Sequence, residues 1–271
     1  MRFRLVILLP LPLAAFAQGQ SSKPIGDGIN FCSLDKEIAS GERLATDVRR
    51  ESKLFESDLV QDFVARLGRQ LAAQTPGARF PYSFTAIQDL PAGIPDDPTH
   101  EAMALPGGPI FIRASLILQA ENTTELAGML AHAIGHVAAR HCTRSLTRVD
   151  LMQIESWTVL PPFGCWVVQG AMPMGYLQFQ HAFERQADYF AVQIMAQAGY
   201  DPAALAAYVN RVQPPPKRRN DTSRSFSPWP PAEERIKLMQ KEIAKLLPGQ
   251  AYSAGDQIEP IQAAVRSLPA K

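Results

Sequence analysis

The stretch from Asn122 to His141, NTTELAGMLAHAIGHVAARH, decides how this chain folds. Leu126, Met129, Leu130, Ile134 and Val137 recur at three- and four-residue steps, which predicts a helix with one apolar side. Asn122 followed three residues later by Glu125 marks its start. His132 and His136 stand one turn apart on that helix. At about 3.6 residues per turn they project within roughly 40° of each other, so two imidazoles can reach one metal ion. In the H-E-x-x-H pattern of zinc hydrolases a glutamate follows the first histidine and handles protons. Here that place is Ala133.

Downstream, QFQHAFERQADYFAVQIMAQAG (178–199) predicts a second strong helix, with Phe179, Phe183, Ala187, Phe190 and Ile194 as its buried stripe and Gly199 at its end. Glu184 and Asp188 share its other face. Glu184 is a candidate third metal ligand, which would leave one coordination position for water; a solvated surface glutamate is the alternative reading. DPAALAAYVNRV (201–212) restarts a helix with Asp201 as N-cap, and AEERIKLMQKEIAKLL (232–247) is a last amphipathic one. Upstream, residues 31–54 and 58–77 predict two outer helices with Ser33 and Asp58 as N-caps. Between them and the histidines, FPYSFTAIQDLPAGIP (80–95), EAMALP (101–106) and PIFIRASLIL (109–118) are short β-rich runs broken by Pro and by Gly107-Gly108. The last two are a candidate hairpin. The fold class is therefore α+β, mainly helical, with a small antiparallel sheet.

The first residues, MRFRLVILLPLPLAAFAQ, have a basic start, a short apolar run and Ala15-Phe16-Ala17, which predicts a signal peptide over 1–17 and an exported, periplasmic or secreted chain. Residues 18–250 then form a single domain and 251–271 a C-terminal tail. A hydrophobic content of 46% suits a real core, and a net charge of +1 gives no reason to propose a nucleic-acid partner. The segment VLPPFGCWVVQGAMPMG (159–175) is apolar but studded with Pro and Gly, which suits a flap or a peripheral membrane-touching loop rather than a membrane span. Cys32, Cys142 and Cys165 allow one disulfide and one free thiol, with the pairing open.

Taken together, SLDKEIASGERLA (33–45), ALPGGPIFIRASL (104–116), ELAGMLAHAIGHVAARH (125–141), FERQAD (183–188) and PPAEERI (230–236) resemble the gluzincin zinc metallopeptidases of family M48. This family includes HtpX-like, Oma-like and CAAX prenyl proteases, and its secreted bacterial members are the most similar. The resemblance covers about residues 33–247 and implies a zincin-like domain with an active-site helix. It implies zinc as cofactor, held by His132, His136 and Glu184, with Asp188 orienting a ligand histidine. His141 matches a family position too and reads as structural, because it follows the ligand pair by more than one turn.

The departures from the family pattern bear on activity. Ala133 replaces the glutamate that takes a proton from zinc-bound water and passes it to the leaving amine. Glu101, opening EAMA (101–104), stands where the family usually has asparagine on a cleft-lining strand, and is the one visible substitute carboxylate. Trp229 takes the place of a histidine, and His181 that of a frequent arginine. The expectation is a metalloendopeptidase-like protein with impaired catalysis. The alternative is a zinc-binding pseudoprotease that holds an extended polypeptide client along EAMA by strand addition, in envelope quality control or assembly.

Overall fold

Ser33 opens the first helix by accepting a hydrogen bond from the Lys36 amide, and α1 runs Leu34–Glu51. In the second, α2 (Asp58–Ala72), Ser57 and not Asp58 takes the N-cap position, without a side-chain hydrogen bond, and the Asp58 carboxylate lies in the first turn, where the helix dipole favours it. The computed structural model describes residues 28–77, 80–91, 101–153, 174–213, 229–246, 251–253, 255 and 257–267. The expected signal peptide and residues 159–173 lie outside them. No described helix is long and apolar enough to cross a membrane.

Three strands, β1 (Ser83–Ile87), β2 (Met103–Ala104) and β3 (Pro109–Arg113), form one sheet in the order β1-β3-β2. The expected hairpin is present: β2 runs antiparallel to β3 around Gly107 and Gly108, whose φ of 77° and 131° favour glycine. However, β1 pairs with β3 in parallel, so the sheet is mixed and not antiparallel throughout. The physical reason is the long connection over 88–108, which returns the chain to the starting end before β3 begins; a tight turn would have forced the antiparallel sense. Every residue of β3 is buried. Ile110 and Ile112 face the main core, while Phe111 packs with Ala45 and Val48 of α1 in a smaller cluster.

Seven helices complete the described elements: α3 (Ala114–Gln119), α4 (Thr123–Ala138), α5 (His141–Gln153), α6 (Met174–Gln197), α7 (Ala203–Val212), α8 (Ala232–Ile243) and α9 (Glu259–Arg266). The Asn122 side chain caps α4 by accepting from the Glu125 amide at 2.9 Å, as the sequence predicts. Enclosed by α2, α6 and α7, α4 is buried on nearly every face. It packs tightly on α6 at Gly135, where a Cβ would lie 3.0 Å from the Ala187 carbonyl oxygen. That glycine sits between the two histidines, so the close approach is made at the site itself.

Two features depart from the sequence expectations. Residues 251–271, expected as a tail, carry α9, whose Ile261 and Val265 join the main core. Its buried Gln262 donates to the carbonyls of Ile117 at 3.0 Å and Ala120 at 2.8 Å. The chain also turns sharply after α4 at Arg140, which has φ 58°. A non-glycine residue pays about 1–2 kcal/mol for that conformation. Arg140 is held there by Glu37 Oε2, to which its Nε donates at 2.6 Å, and by the Cys32 carbonyl, also at 2.6 Å.

Candidate metal centre

The α4 helix places His132 and His136 with their Nε2 atoms 3.0 Å apart. Across the Gly135 contact, α6 brings Glu184, whose Oε2 is 3.5 Å from His132 Nε2 and whose Oε1 is 3.6 Å from His136 Nε2. A third wall is the segment entering β2, which turns Glu101 Oε2 to 3.4 Å from His132 Nε2. One donor atom from each of these four residues lies within 4.8 Å of every other.

The back of each imidazole is also engaged. Asp188, one turn beyond Glu184, places Oδ1 2.9 Å from His132 Nδ1. His141 Nδ1 lies 3.1 Å from His136 Nδ1, while its Nε2 lies 2.9 Å from Gln186 Oε1. Arg144 donates to the same Gln186 oxygen at 3.3 Å. With that oxygen as acceptor, His141 carries its proton on Nε2 and accepts at Nδ1 from His136. In their neutral forms, which metal binding requires, both α4 histidines then turn Nε2 lone pairs to the cluster.

Residues 64–243, well over half of the chain, match the profile of peptidase family M48. The chain belongs to peptidase family M48. It is similar to the beta-barrel assembly-enhancing protease of Yersinia pestis, 24% identical over 227 residues that cover 76% of this chain and 45% of that protein. The Escherichia coli K12 protein of the same name is 22% identical over 193 residues, covering 66% of this chain and 38% of its own. Mitochondrial metalloendopeptidase OMA1 of Saccharomyces cerevisiae is 27% identical over 158 residues, covering 55% and 46% respectively. The chain thus spans less than half the length of the curated relatives it matches.

M48 peptidases are zinc-dependent, and the residues of this M48 chain fit the ion. Glu184 Oε2 is buried and makes no hydrogen bond among the described residues, with His132 Nε2 at 3.5 Å and Arg235 Nη2 at 4.0 Å both beyond good hydrogen-bond range, so a cation seated between the donors would satisfy it. With the histidines neutral, as metal ligands are, three carboxylates, Glu101, Glu184 and Asp188, face one guanidinium, Arg235, which leaves two negative charges for a divalent ion to balance. Nitrogen and carboxylate donors in this mixture suit zinc.

The same imbalance governs protonation. Burial opposes a charged His132, but the charge of Glu101 and the close carboxylates of Asp188, Glu101 and Glu184 outweigh it and raise its pKa well above the ordinary value. Burial lowers His136, and burial with the neighbouring His136 pushes His141 well below the imidazole range, which keeps it neutral. Burial would raise the two acids, yet Arg235 and His132 hold Asp188 at about 2 and keep Glu101 well below the usual carboxylate range.

Of the residues singled out in the sequence, His132, His136, Glu184 and Glu101 converge, and Asp188 backs His132. Ala133 lies beside them with its methyl group buried in the main core. Cys142 is disulfide-bonded and Cys32 is a free thiol, so neither joins the donors. His181 and Trp229 are half-buried and outside the donor group. His141 does more than the structural part expected of it, because it holds His136.

Arg235 is the residue that sequence reasoning passed over. Only 1% exposed, it donates to both Asp188 oxygens at 2.8 and 2.7 Å and to Glu101 Oε1 at 2.9 Å. A signal was present: Arg235 stands one turn before Met239, on the buried stripe of α8, where a charged residue needs a partner.

Proposed function

We propose that this M48 chain binds one zinc ion through His132, His136 and Glu184, and that its peptide-bond hydrolysis is crippled. The observation that carries the reading is Ala133. A zinc ion polarises a carbonyl and lowers the pKa of bound water to about 7. Peptide cleavage also needs a proton moved to a poor amine leaving group, and general acid–base help is worth about 10²–10⁴-fold. A methyl group moves no proton. Of the carboxylates nearby, Asp188 is held between His132 and Arg235, and Glu101, with Oε1 on Arg235, turns Oε2 among the donor atoms themselves.

A polypeptide client in place of a substrate is supported by the sheet. Among the described residues β2 is an edge strand, paired with β3 on one side only and entered directly from Glu101. An extended segment could add to that edge through main-chain hydrogen bonds. Two of the similar proteins are named for enhancing beta-barrel assembly. With the leader-like residues 1–17, this supports an exported chain that works on polypeptides in the cell envelope, periplasmic or secreted.

The test is elemental analysis joined to a peptidase assay. Purified protein is expected to hold close to one zinc per chain, lost in His136→Ala, and to show no chelator-sensitive cleavage of an unfolded protein substrate. Chelator-sensitive turnover in the ordinary enzyme range, about 1 s⁻¹ or faster, would overturn the impairment.

A further inference from the structure

We propose that Glu101 is a fourth protein ligand, which turns the open zinc position of a hydrolase into a closed four-ligand site. The inference rests on the zinc-binding reading above and goes beyond it, from a missing base to a blocked metal. Four donors at zinc–ligand lengths of about 2.0–2.1 Å around a tetrahedron stand roughly 3.3 Å from one another. The distances here are 3.0 Å for His132–His136, 3.4 Å for His132–Glu101, 3.5 Å from His132 to Glu184 Oε2 and 3.6 Å from His136 to Glu184 Oε1, the two oxygens of one carboxylate. Glu101 Oε2 thus stands at the spacing of a ligand from His132 Nε2, and the four residues keep one donor atom each within 4.8 Å of one another. A base acting on metal-bound water would lie one hydrogen bond, about 2.6–3.2 Å, outside that shell.

The orientation of Glu101 is fixed from behind. Arg235 Nη1 donates to Oε1 at 2.9 Å, which leaves Oε2 turned to the cluster. The same guanidinium grips Asp188 through two hydrogen bonds, and Asp188 orients His132. One buried arginine therefore sets two ligands on separate walls. Supporting contacts of this kind fix the geometry of a metal shell before the ion arrives. Sites with four protein ligands hold zinc structurally, whereas catalytic ones keep a position for water. In this arrangement zinc ties the edge strand β2 to α4 and α6.

The test uses the full chain with cobalt(II) in place of zinc, and azide as an added ligand. Four-coordinate cobalt absorbs strongly in the visible, and an open position shows itself when azide shifts the spectrum. Wild-type protein is expected to give a four-coordinate spectrum that azide leaves unchanged. Glu101→Ala is expected to bind zinc at least about tenfold more weakly in chelator competition and to respond to azide. Should the alanine variant fold poorly, Glu101→Gln retains an acceptor for Arg235 and is read in the same way, with circular dichroism as the check. Azide shifting the wild-type spectrum as much as the variant's, or zinc affinity within twofold between the two, would overturn the fourth ligand while leaving zinc binding intact. Wild-type protein that takes up no metal would instead sink the zinc reading and, with it, this one.

Discussion

Ala133 and Glu101 act on the same donor cluster in opposite senses, one lacking a carboxylate and the other supplying one. Restoring the base alone leaves the fourth ligand in place, and opening the site alone leaves no base. Ala133→Glu and Glu101→Asn are therefore each expected to gain less than about tenfold in chelator-sensitive peptidase activity, and the double variant at least about 10²-fold. Ala133→Glu matching the double variant would argue against closure by Glu101. A second prediction concerns His141, stacked on Phe183 at 4.4 Å with its Nδ1 against His136. His141→Phe keeps that volume and removes the acceptor, so zinc affinity should fall about 10–100-fold in chelator competition with the fold intact. Unchanged affinity would return His141 to a packing role.

Among the elements, the packing of α4 on α6 matters most to the site. Gly135→Ala puts a methyl 3.0 Å from the Ala187 carbonyl oxygen and 3.2 Å from Phe190 Cβ. Alanine gains about 0.5–1 kcal/mol of helix stability over glycine, while overpacking of a filled interface costs about 1–3 kcal/mol. The steric cost wins, and the variant should be less stable by about 1 kcal/mol in urea unfolding, with weaker zinc binding because Glu184 moves away from the histidines. A more stable variant would mean that the helices separate at no cost. The turn between α4 and α5 depends on Glu37, which is fully buried and bonded to both Arg140 and Thr143. Glu37→Ala should cost on the order of 2 kcal/mol, read from the same unfolding curves, because it removes the charged partner of the left-handed Arg140 and leaves it the Cys32 carbonyl alone.

For the whole molecule, the donors come from three segments far apart in sequence, around Glu101, His132 and Glu184, so an unfolded chain presents no preformed site. An ion that binds the folded state alone stabilises it by mass action. At zinc about 100 times its Kd this is about 2.7 kcal/mol, which for a chain of this size moves the melting point by about 5–10 °C. Chelation is expected to lower Tm by that amount in wild-type protein and to leave Tm of His136→Ala unchanged, measured by thermal unfolding with and without chelator. Equal sensitivity in both proteins would place the stabilising metal elsewhere.

The helix that carries the histidines was determined by sequence alone, because its signals are local: a cap at Asn122, apolar residues at helical spacing and two histidines one turn apart. Glu184 and Asp188 were legible in the same way, with the family resemblance selecting them from other acidic residues on helices. The rest waited for tertiary structure. Parallel pairing of β1 with β3 depends on how a long connection returns, which no residue in either strand encodes. Burial of α9 depends on the groove left by α2 and α3. His141 reaches His136 because Arg140 takes a left-handed turn held by Glu37, a residue 103 positions away. Arg235 meets Glu101 across 134 positions, and only that meeting turns a carboxylate from the sheet edge into the metal cluster. Capping and periodicity are settled within a turn or two of the chain; the partner of a buried charge is settled by which distant segments the core brings together.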